Sequence, residues 1–488
     1  VYILTASGNS VDVTDDGMVR YSVTQQMVEK HTLDLPTSIG ARWGIRGRDG
    51  RYFTNHGLGQ SLVAVPFYLV GKGLGNPKFA VSLIGPFAVA LTCVVIFFFG
   101  CNLKYSLGTS AYLALLGGLC TQLWPESKSP FDHAVEGLFI LLSSYNAYAF
   151  LQRGGNRRLV IAGVTLGIAT ITRVTAVLWV MPLFLLFAMH CSDLKPVRTR
   201  ILLLKKVFGW FLLGLVPFAG FLLWYNAHRF GSILETGYSI WAHERHFSNF
   251  SNPVWIGLAG EIVSPGKGVL LYSPVLILSL IGLRAYFRWS RNMAAVMIFA
   301  SVMYLLFFAS YAAWHGDIAW GPRYLVFLIP CWILFIGPLF EKQKLCRRLS
   351  ISIGITTLVV IGFLIQLGSV LVDMNLHYFR LLRSGVVQDI NTYSYPPSLY
   401  FTWSHSPLVD RTCEVHHLFR SFRDTRNDGD SGTFDESYLG VSTVPTLNFW
   451  WMHTPVSKTA PFSLVLVVPL IVEICISSVR IKRLLQSA

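Results

Sequence analysis

The chain has 488 residues, 53% of them hydrophobic and only 13% charged, with a mean hydropathy of +0.51 and a formal net charge of +15. A soluble domain of this size has no surface that accommodates such a balance, so the chain reads as an integral membrane protein. Its basic residues are scattered through short loops between apolar runs instead of forming a patch, which leaves nucleic acid without support as a partner.

In chain order, the apolar residues VYILTA open the sequence and the acidic stretch DVTDDGMVRYSV follows from Asp12. We expect VYILTA to be the end of a first membrane helix whose earlier part lies outside this sequence, giving about twelve spans with both ends cytoplasmic; a cleaved signal peptide is the alternative. From Asp16 onward the residues suit a helix, with Asp15 and Asp16 at its N-cap and first turn, where the helix dipole alone accounts for acids. A carboxylate held at the membrane surface is equally suited to act as a general base, to coordinate a metal or to bind the hydroxyls of a polar substrate. Residues 57–75 mix glycine with apolar residues and suit a helix lying in the outer interface, with Phe67 and Tyr68 at headgroup depth.

Eleven apolar runs then approach or exceed the length of a bilayer span: 78–100, 107–124, 133–151, 159–172, 174–190, 205–225, 268–284, 292–312, 324–340, 349–371 and 461–479. The pair flanking Arg173 would also read as one long helix, which would reverse the side assigned to every later loop. Alternate loops hold 19 Lys and Arg against two acids, Asp193 and Glu341, and the positive-inside rule assigns that set to the cytoplasm. The basic charge therefore reports topology. The opposite loops are long, at 8–77, 226–267 and 372–460, so function is expected on the outer face. The expected organisation is a first outer loop with its interfacial helix (1–77), a bundle (78–371) with outer loops at 124–133, 226–267 and 311–323, a large outer loop (372–460), and a last span with a cytoplasmic tail (461–488). The fold class is all-α polytopic.

Seven of the eight cysteines lie in or beside apolar runs and only Cys413 lies in an outer loop, so neither a disulfide framework nor a cysteine zinc site is encoded. Asp428-Gly429-Asp430 lacks the ligand spacing of a calcium loop and reads as a turn. In WPESKSPFDHAVEG, Glu126, Asp132, His133 and Glu136 fall in one outer loop, and Asp132 and Glu136 share a helical face. With Asp16 they form a candidate divalent-cation site or a simple capped helix start. His56, His243, His246 and His315 also fall outside, and Trp241, Trp314 and Trp320 suit either sugar stacking or the membrane interface.

Five stretches carry a resemblance: DDGMVRYSVTQQMVEKHTLDLP from Asp15, GRDGRYFTNHGLGQSLVAVPFYLVG from Gly47, YNAHRFGSILETGY from Tyr225, SPGKGVLLYSP from Ser264 and WHGDIAWGPRYLVFLIP from Trp314. Together they resemble polyprenyl-phosphate-sugar-dependent glycosyltransferases of the GT-C class, whose members include protein O-mannosyltransferases and lipid A aminoarabinose transferases. The resemblance implies a GT-C-like bundle of about 11–12 helices and a catalytic acid at the start of the first outer loop. Asp15 matches the leading acid and Asp16 the usual Glu position. Two extra residues precede Arg20-Tyr21 relative to the aminoarabinose-type spacing. It further implies a polyprenyl-phosphate-linked sugar donor and a glycan, lipid or protein acceptor, with a divalent cation in some members only.

On that reading Asp15 and Asp16 are the expected catalytic residues. Arg20, Tyr21, His56, Asp132, His133, Arg173, Lys267, Arg323 and Tyr324 are the expected substrate-binding set, with Arg323 and Lys267 on the phosphate. Snorkelling at the interface is the alternative for the two cations, and a topological role is the alternative for Arg173. A bacterial inner membrane is the expected location. A transporter or flippase for a lipid-linked sugar, or a non-catalytic envelope-polysaccharide assembly protein, would share much of this sequence pattern.

Overall fold

The computed structural model describes residues 1–192, 197–244, 248–341, 349–388, 395–424 and 447–453. They are overwhelmingly helical; the strands among them are one short antiparallel pair, Ile45–Arg46 with Tyr52–Phe53. Among the described residues seven helices are long and apolar enough to cross a membrane: Pro77–Asn102, His133–Arg153, Val174–Ser192, Val197–Phe230, Arg291–Ser310, Arg323–Glu341 and Leu349–Leu371. At 1.5 Å per residue, about 20 helical residues cover the roughly 30 Å hydrocarbon layer. The apolar run at 461–479 and the Asp428–Asp430 turn lie outside the described residues.

Several runs that read as continuous spans are broken, and the break is where chemistry collects. Helix Asn156–Thr172 ends at Arg173, whose backbone is extended (φ −138°, ψ 124°), and the chain restarts as a 3-10 turn, Val174–Trp179, ahead of Val180–Ser192. The single long helix is thereby excluded. The run at 268–284 divides into Val269–Tyr272, a 3-10 turn Pro274–Leu276 and Ile277–Trp289, because Pro274 has no N–H to continue the ladder. The run at 107–124 ends as helix at Cys120, where Thr121 turns extended. Proline also divides the run at 324–340 into Arg323–Leu328, Ile329–Leu334 and Gly337–Glu341, with Pro322, Pro330 and Pro338 at the starts.

Small residues set the closest helix approach. A Cβ on Gly163 would collide with the carbonyl of Phe211, and one on Gly214 with the carbonyl of Val160, so these glycines let Asn156–Thr172 lie directly against Val197–Phe230. Helix Asp15–Glu29 is capped by Thr14, whose Oγ1 accepts from the Gly17 N–H at 3.2 Å. Asp15 and Asp16 therefore sit inside the first turn, and neither is the cap. Helix Gly59–Gly73 occupies the expected stretch, yet it turns Tyr68 inward: that side chain is 1% exposed and its hydroxyl donates to Glu29 at 2.5 Å, while Leu69 and Val70 face outward.

Candidate functional site

The first turn of helix Asp15–Glu29 is pressed against the 129–132 turn because residue 17 is glycine. A Cβ there would lie 2.7 Å from the Val11 carbonyl and 2.9 Å from Pro130 Cβ. The close approach places Arg20, one turn along, beneath Asp132. Its Nη2 donates to Asp132 Oδ2 at 3.2 Å and its Nη1 to the Pro130 carbonyl at 3.3 Å. Arg173, freed from helical geometry at its break, reaches Asp132 Oδ1 at 3.0 Å and Glu136 at 3.5 Å. On the other side Asp16 lies 2.9 Å from His56 Nε2, 3.5 Å from Arg20 and 3.7 Å from Arg323. The result is an unbroken alternation, Arg323, Asp16, Arg20, Asp132, Arg173, Glu136, drawn from four separate parts of the chain. Arg20, Asp132 and Glu136 are nearly or fully buried, a placement that charged groups tolerate only when paired in this way.

Aromatic rings fix the two outer guanidinium groups. Arg323 lies 3.8 Å above the Phe131 ring and Arg173 lies 5.3 Å above Tyr324. Tyr324 stacks on Phe308 at 5.0 Å and meets His133 edge-on at 5.6 Å. The His133 Nδ1 stands 3.4 Å from Glu136. His133 thus supports the cluster from behind.

Asp15, Asp16, His56, Arg173, Asp317, Arg323 and Tyr324 line one cavity of about 340 Å³, within the range of small-molecule sites. The cavity has two characters. The groups just named make a charged end, and Phe250, Phe307, Phe308 and Tyr311 make an apolar side, with Trp43 and Trp241 also on the wall. Asp15 Oδ1 accepts from the Asp16 N–H at 3.0 Å, and among the described residues no cation lies within 4 Å of its carboxylate. Burial, with the charges of Asp16 and Asp317 added, pushes Asp15 up to about 7. Burial pushes Asp16 the same way, but His56, Arg20 and Arg323 overcome it and hold Asp16 well below the usual carboxylate range. Burial lowers His56 against the opposing pull of the Asp16 carboxylate, which stands 2.9 Å from its Nε2. Two adjacent carboxyls are driven apart in this way, one toward neutrality at pH 7 and one toward permanent charge, the division that acid–base chemistry uses.

The structure brings Asp15, Asp16, His56, Arg173, Arg323 and Tyr324 to the cavity wall and sets Arg20, Asp132 and His133 directly behind it. Two expected ligand residues are elsewhere. Tyr21 packs on Tyr68, ring centroids 5.7 Å apart, on the far side of its helix. Lys267 is 0% exposed and its Nζ donates to the carbonyls of Asp317 and Ala319 at 2.7 and 2.8 Å, so it is enclosed behind the cavity wall instead of facing in. Trp241 lines the cavity, whereas Trp314 packs on Tyr400 and Trp320 on Tyr272. His315 stacks on Tyr400, His243 is exposed and His246 lies outside the described residues. The cation grouping of Asp16, Asp132 and Glu136 does not form, since Arg20 and Arg173 stand where an ion would. Among the described residues no three His, Cys, Asp or Glu side chains gather to hold a metal.

Asp317, Tyr238, Asn55 and Trp43 join the cavity without having been singled out from the sequence. Asp317 and Tyr238 do fall inside the WHGDIAWGPRY and ETGY stretches, which was the available signal. No family model matches the chain, and no curated protein matches it. Solved structures similar to it include ArnT from Cupriavidus metallidurans in the apo state, with 16% identity and a TM-score of 0.48 over 86% of this chain and 70% of that one. The ArnT structure bound to undecaprenyl phosphate is similar at 14% identity and a TM-score of 0.48, over 89% of this chain and 79% of that one.

Proposed function

We propose that this protein transfers a glycosyl unit from a polyprenyl-phosphate donor to an acceptor hydroxyl in the 340 Å³ cavity, by a single displacement that inverts the anomeric centre. The observation that carries the reading is one cavity lined by a carboxyl poised near neutrality, Asp15, two guanidinium groups, Arg323 and Arg173, and an apolar aromatic wall. Few ligands need all three. A lipid phosphate carrying a sugar needs cations for the phosphate, an apolar path for the prenyl chain and a base for the incoming hydroxyl.

In this mechanism the acceptor O–H gives its proton to the Asp15 carboxylate as its oxygen bonds to the anomeric carbon. The bond from that carbon to the phosphate oxygen breaks, and its electron pair leaves with the phosphate. The negative charge that develops there lies against Arg323 and Arg173, which are already held in place by Phe131, Tyr324, Asp16 and Asp132 and need no reorganisation during the step. Asp16 stays ionised and fixes His56, Arg20 and Arg323. Phe250, Phe307, Phe308 and Tyr311 receive the first isoprenoid units. The charge distribution among the loops supports a cavity opening to the outer face of a plasma membrane, where lipid-linked sugars and a glycan, lipid or protein acceptor meet.

The test is reconstitution of the purified chain in lipid with a panel of labelled polyprenyl-phosphate sugars and a membrane extract as acceptor source. Release of free polyprenyl phosphate together with a labelled product is the expected result. Binding of these donors with transport across the bilayer but no release would overturn it.

A further inference from the structure

Among the described residues three that are not glycine have positive φ, and of these Asp317 is the one on the cavity wall. Its φ is +60°, and it follows Gly316 at +68° in the WHGDIAWG turn that leads into Arg323. Aspartate enters this region more readily than most residues with a Cβ, and its surroundings can lock it there. Here they do so from three distant parts of the chain. Lys267 Nζ donates to the Asp317 carbonyl at 2.7 Å and to the Ala319 carbonyl at 2.8 Å, and the Tyr378 hydroxyl donates to the Asp317 carbonyl at 3.1 Å while standing 3.3 Å from the same Nζ. The Asp317 N–H donates to His315 Nδ1 at 3.2 Å, and the His315 ring stacks on Tyr400 at 4.6 Å.

A fully buried lysine is costly to fold around. Among the described residues no carboxylate lies within 4 Å of this one, and its ammonium is used on the backbone of a single turn. Fixing that backbone is what its burial achieves. With the Asp317 carbonyl turned toward Lys267, the residue lines the cavity beside Asp15, Asp16 and Arg323, and its charge acts on Asp15. A third carboxylate in such a space accepts hydrogen bonds from a ligand rich in hydroxyls.

We propose that Asp317 is a specificity-determining residue whose carboxylate holds hydroxyls of the transferred glycosyl unit, and that Lys267 with Tyr378 is the clamp that positions it. The inference rests on the glycosyl-transfer reading, and its test separates the two. The purified chain in nanodiscs is titrated with two probes, bare polyprenyl phosphate and polyprenyl-phosphate hexose. Wild-type protein is expected to favour the hexose form at least about tenfold. Asp317→Asn is expected to reduce that preference to about twofold or less and to leave affinity for the bare lipid unchanged. Asp317→Gly, which adopts the same φ without strain, gives the same result in a fold that cannot be faulted for the turn. Lys267→Met is expected to reduce the preference likewise and to accelerate amide hydrogen exchange across 315–320. A preference retained in Asp317→Asn and Asp317→Gly, or equal binding of both probes by the wild type, overturns the role of Asp317. Unchanged exchange in Lys267→Met overturns the clamp. Failure of the wild type to bind either lipid overturns the glycosyl-transfer reading and this inference with it.

Discussion

The Nη2 of Arg20 lies 3.2 Å from Oδ2 of Asp132, a residue 112 positions away, and both side chains are at most 5% exposed. A pair this deeply buried contributes little if the whole pair is compared with an apolar replacement, but removing one partner leaves a buried charge short of compensation. Asp132 keeps Arg173, whereas Asp16 would keep His56 and Arg323. Arg20→Met should therefore lower stability by about 3 kcal/mol, the low end for breaking a buried ion pair. Thermal unfolding in detergent would measure it, and a companion Arg20→Met/Asp132→Asn variant should recover part of the loss.

Asp15 makes two linked predictions about pH. As a base it works only when ionised, so transfer should fall as pH drops through about 7, and Asp15→Asn should lower turnover by about 10² to 10⁴ while donor binding persists. The stability effect runs the other way. Burial raises this carboxyl above its unfolded value, so the stability associated with its neutral form is complete below the unfolded value and is lost as pH rises through about 7. Asp15→Asn should accordingly melt higher than wild type at pH 8, with a smaller gap at pH 5, where most of the loss has yet to occur. Melting curves at the two pH values decide this without any substrate.

How much of this was legible beforehand follows from the range of the interactions. Apolar runs report burial locally, so most spans and the helix start near Asp15 could be read directly. Two of the cavity's carboxylates, Asp15 and Asp16, and its cations Arg173 and Arg323 were legible because charges beside apolar runs are rare enough to be conspicuous. What the sequence does not expose is which way a side chain turns once the chain has folded back on itself. Lys267 and Arg323 look equivalent, each a cation in a Pro/Gly-bearing stretch beside an apolar run, yet one faces Asp16 and the other is enclosed by backbone carbonyls. Asp132 and Glu136 look like metal ligands until Arg20 and Arg173 arrive from elsewhere to neutralise them. Asp317 depends on a backbone angle that no local residue pattern dictates.

Gly17 is the point where the first helix turn touches the 129–132 turn, with 2.7 and 2.9 Å left for a Cβ against Val11 and Pro130. The nearest obstacle is a backbone carbonyl and cannot swing aside. Gly17→Ala should cost about 1–3 kcal/mol as the helix start is displaced, despite alanine's better helix propensity. Because that start carries Asp15 and Asp16, activity should fall by more than the stability change explains. Comparing turnover at a temperature where both proteins remain folded would show the difference.

Arg323 separates phosphate recognition from base catalysis. Its guanidinium is held over Phe131 at 3.8 Å and faces Asp16 at 3.7 Å, so it is positioned by contacts that a shorter, non-planar ammonium cannot reproduce together. A charged hydrogen bond to a phosphate contributes about 1.5–3 kcal/mol, equivalent to roughly 10- to 150-fold in affinity. Arg323→Met should weaken binding of bare polyprenyl phosphate by that factor, and Arg323→Lys should restore only part of it. Asp15→Asn, by contrast, should bind the bare lipid as wild type does. Equilibrium binding of labelled polyprenyl phosphate to the three variants distinguishes these outcomes, and wild-type affinity in Arg323→Met would remove Arg323 from the phosphate site.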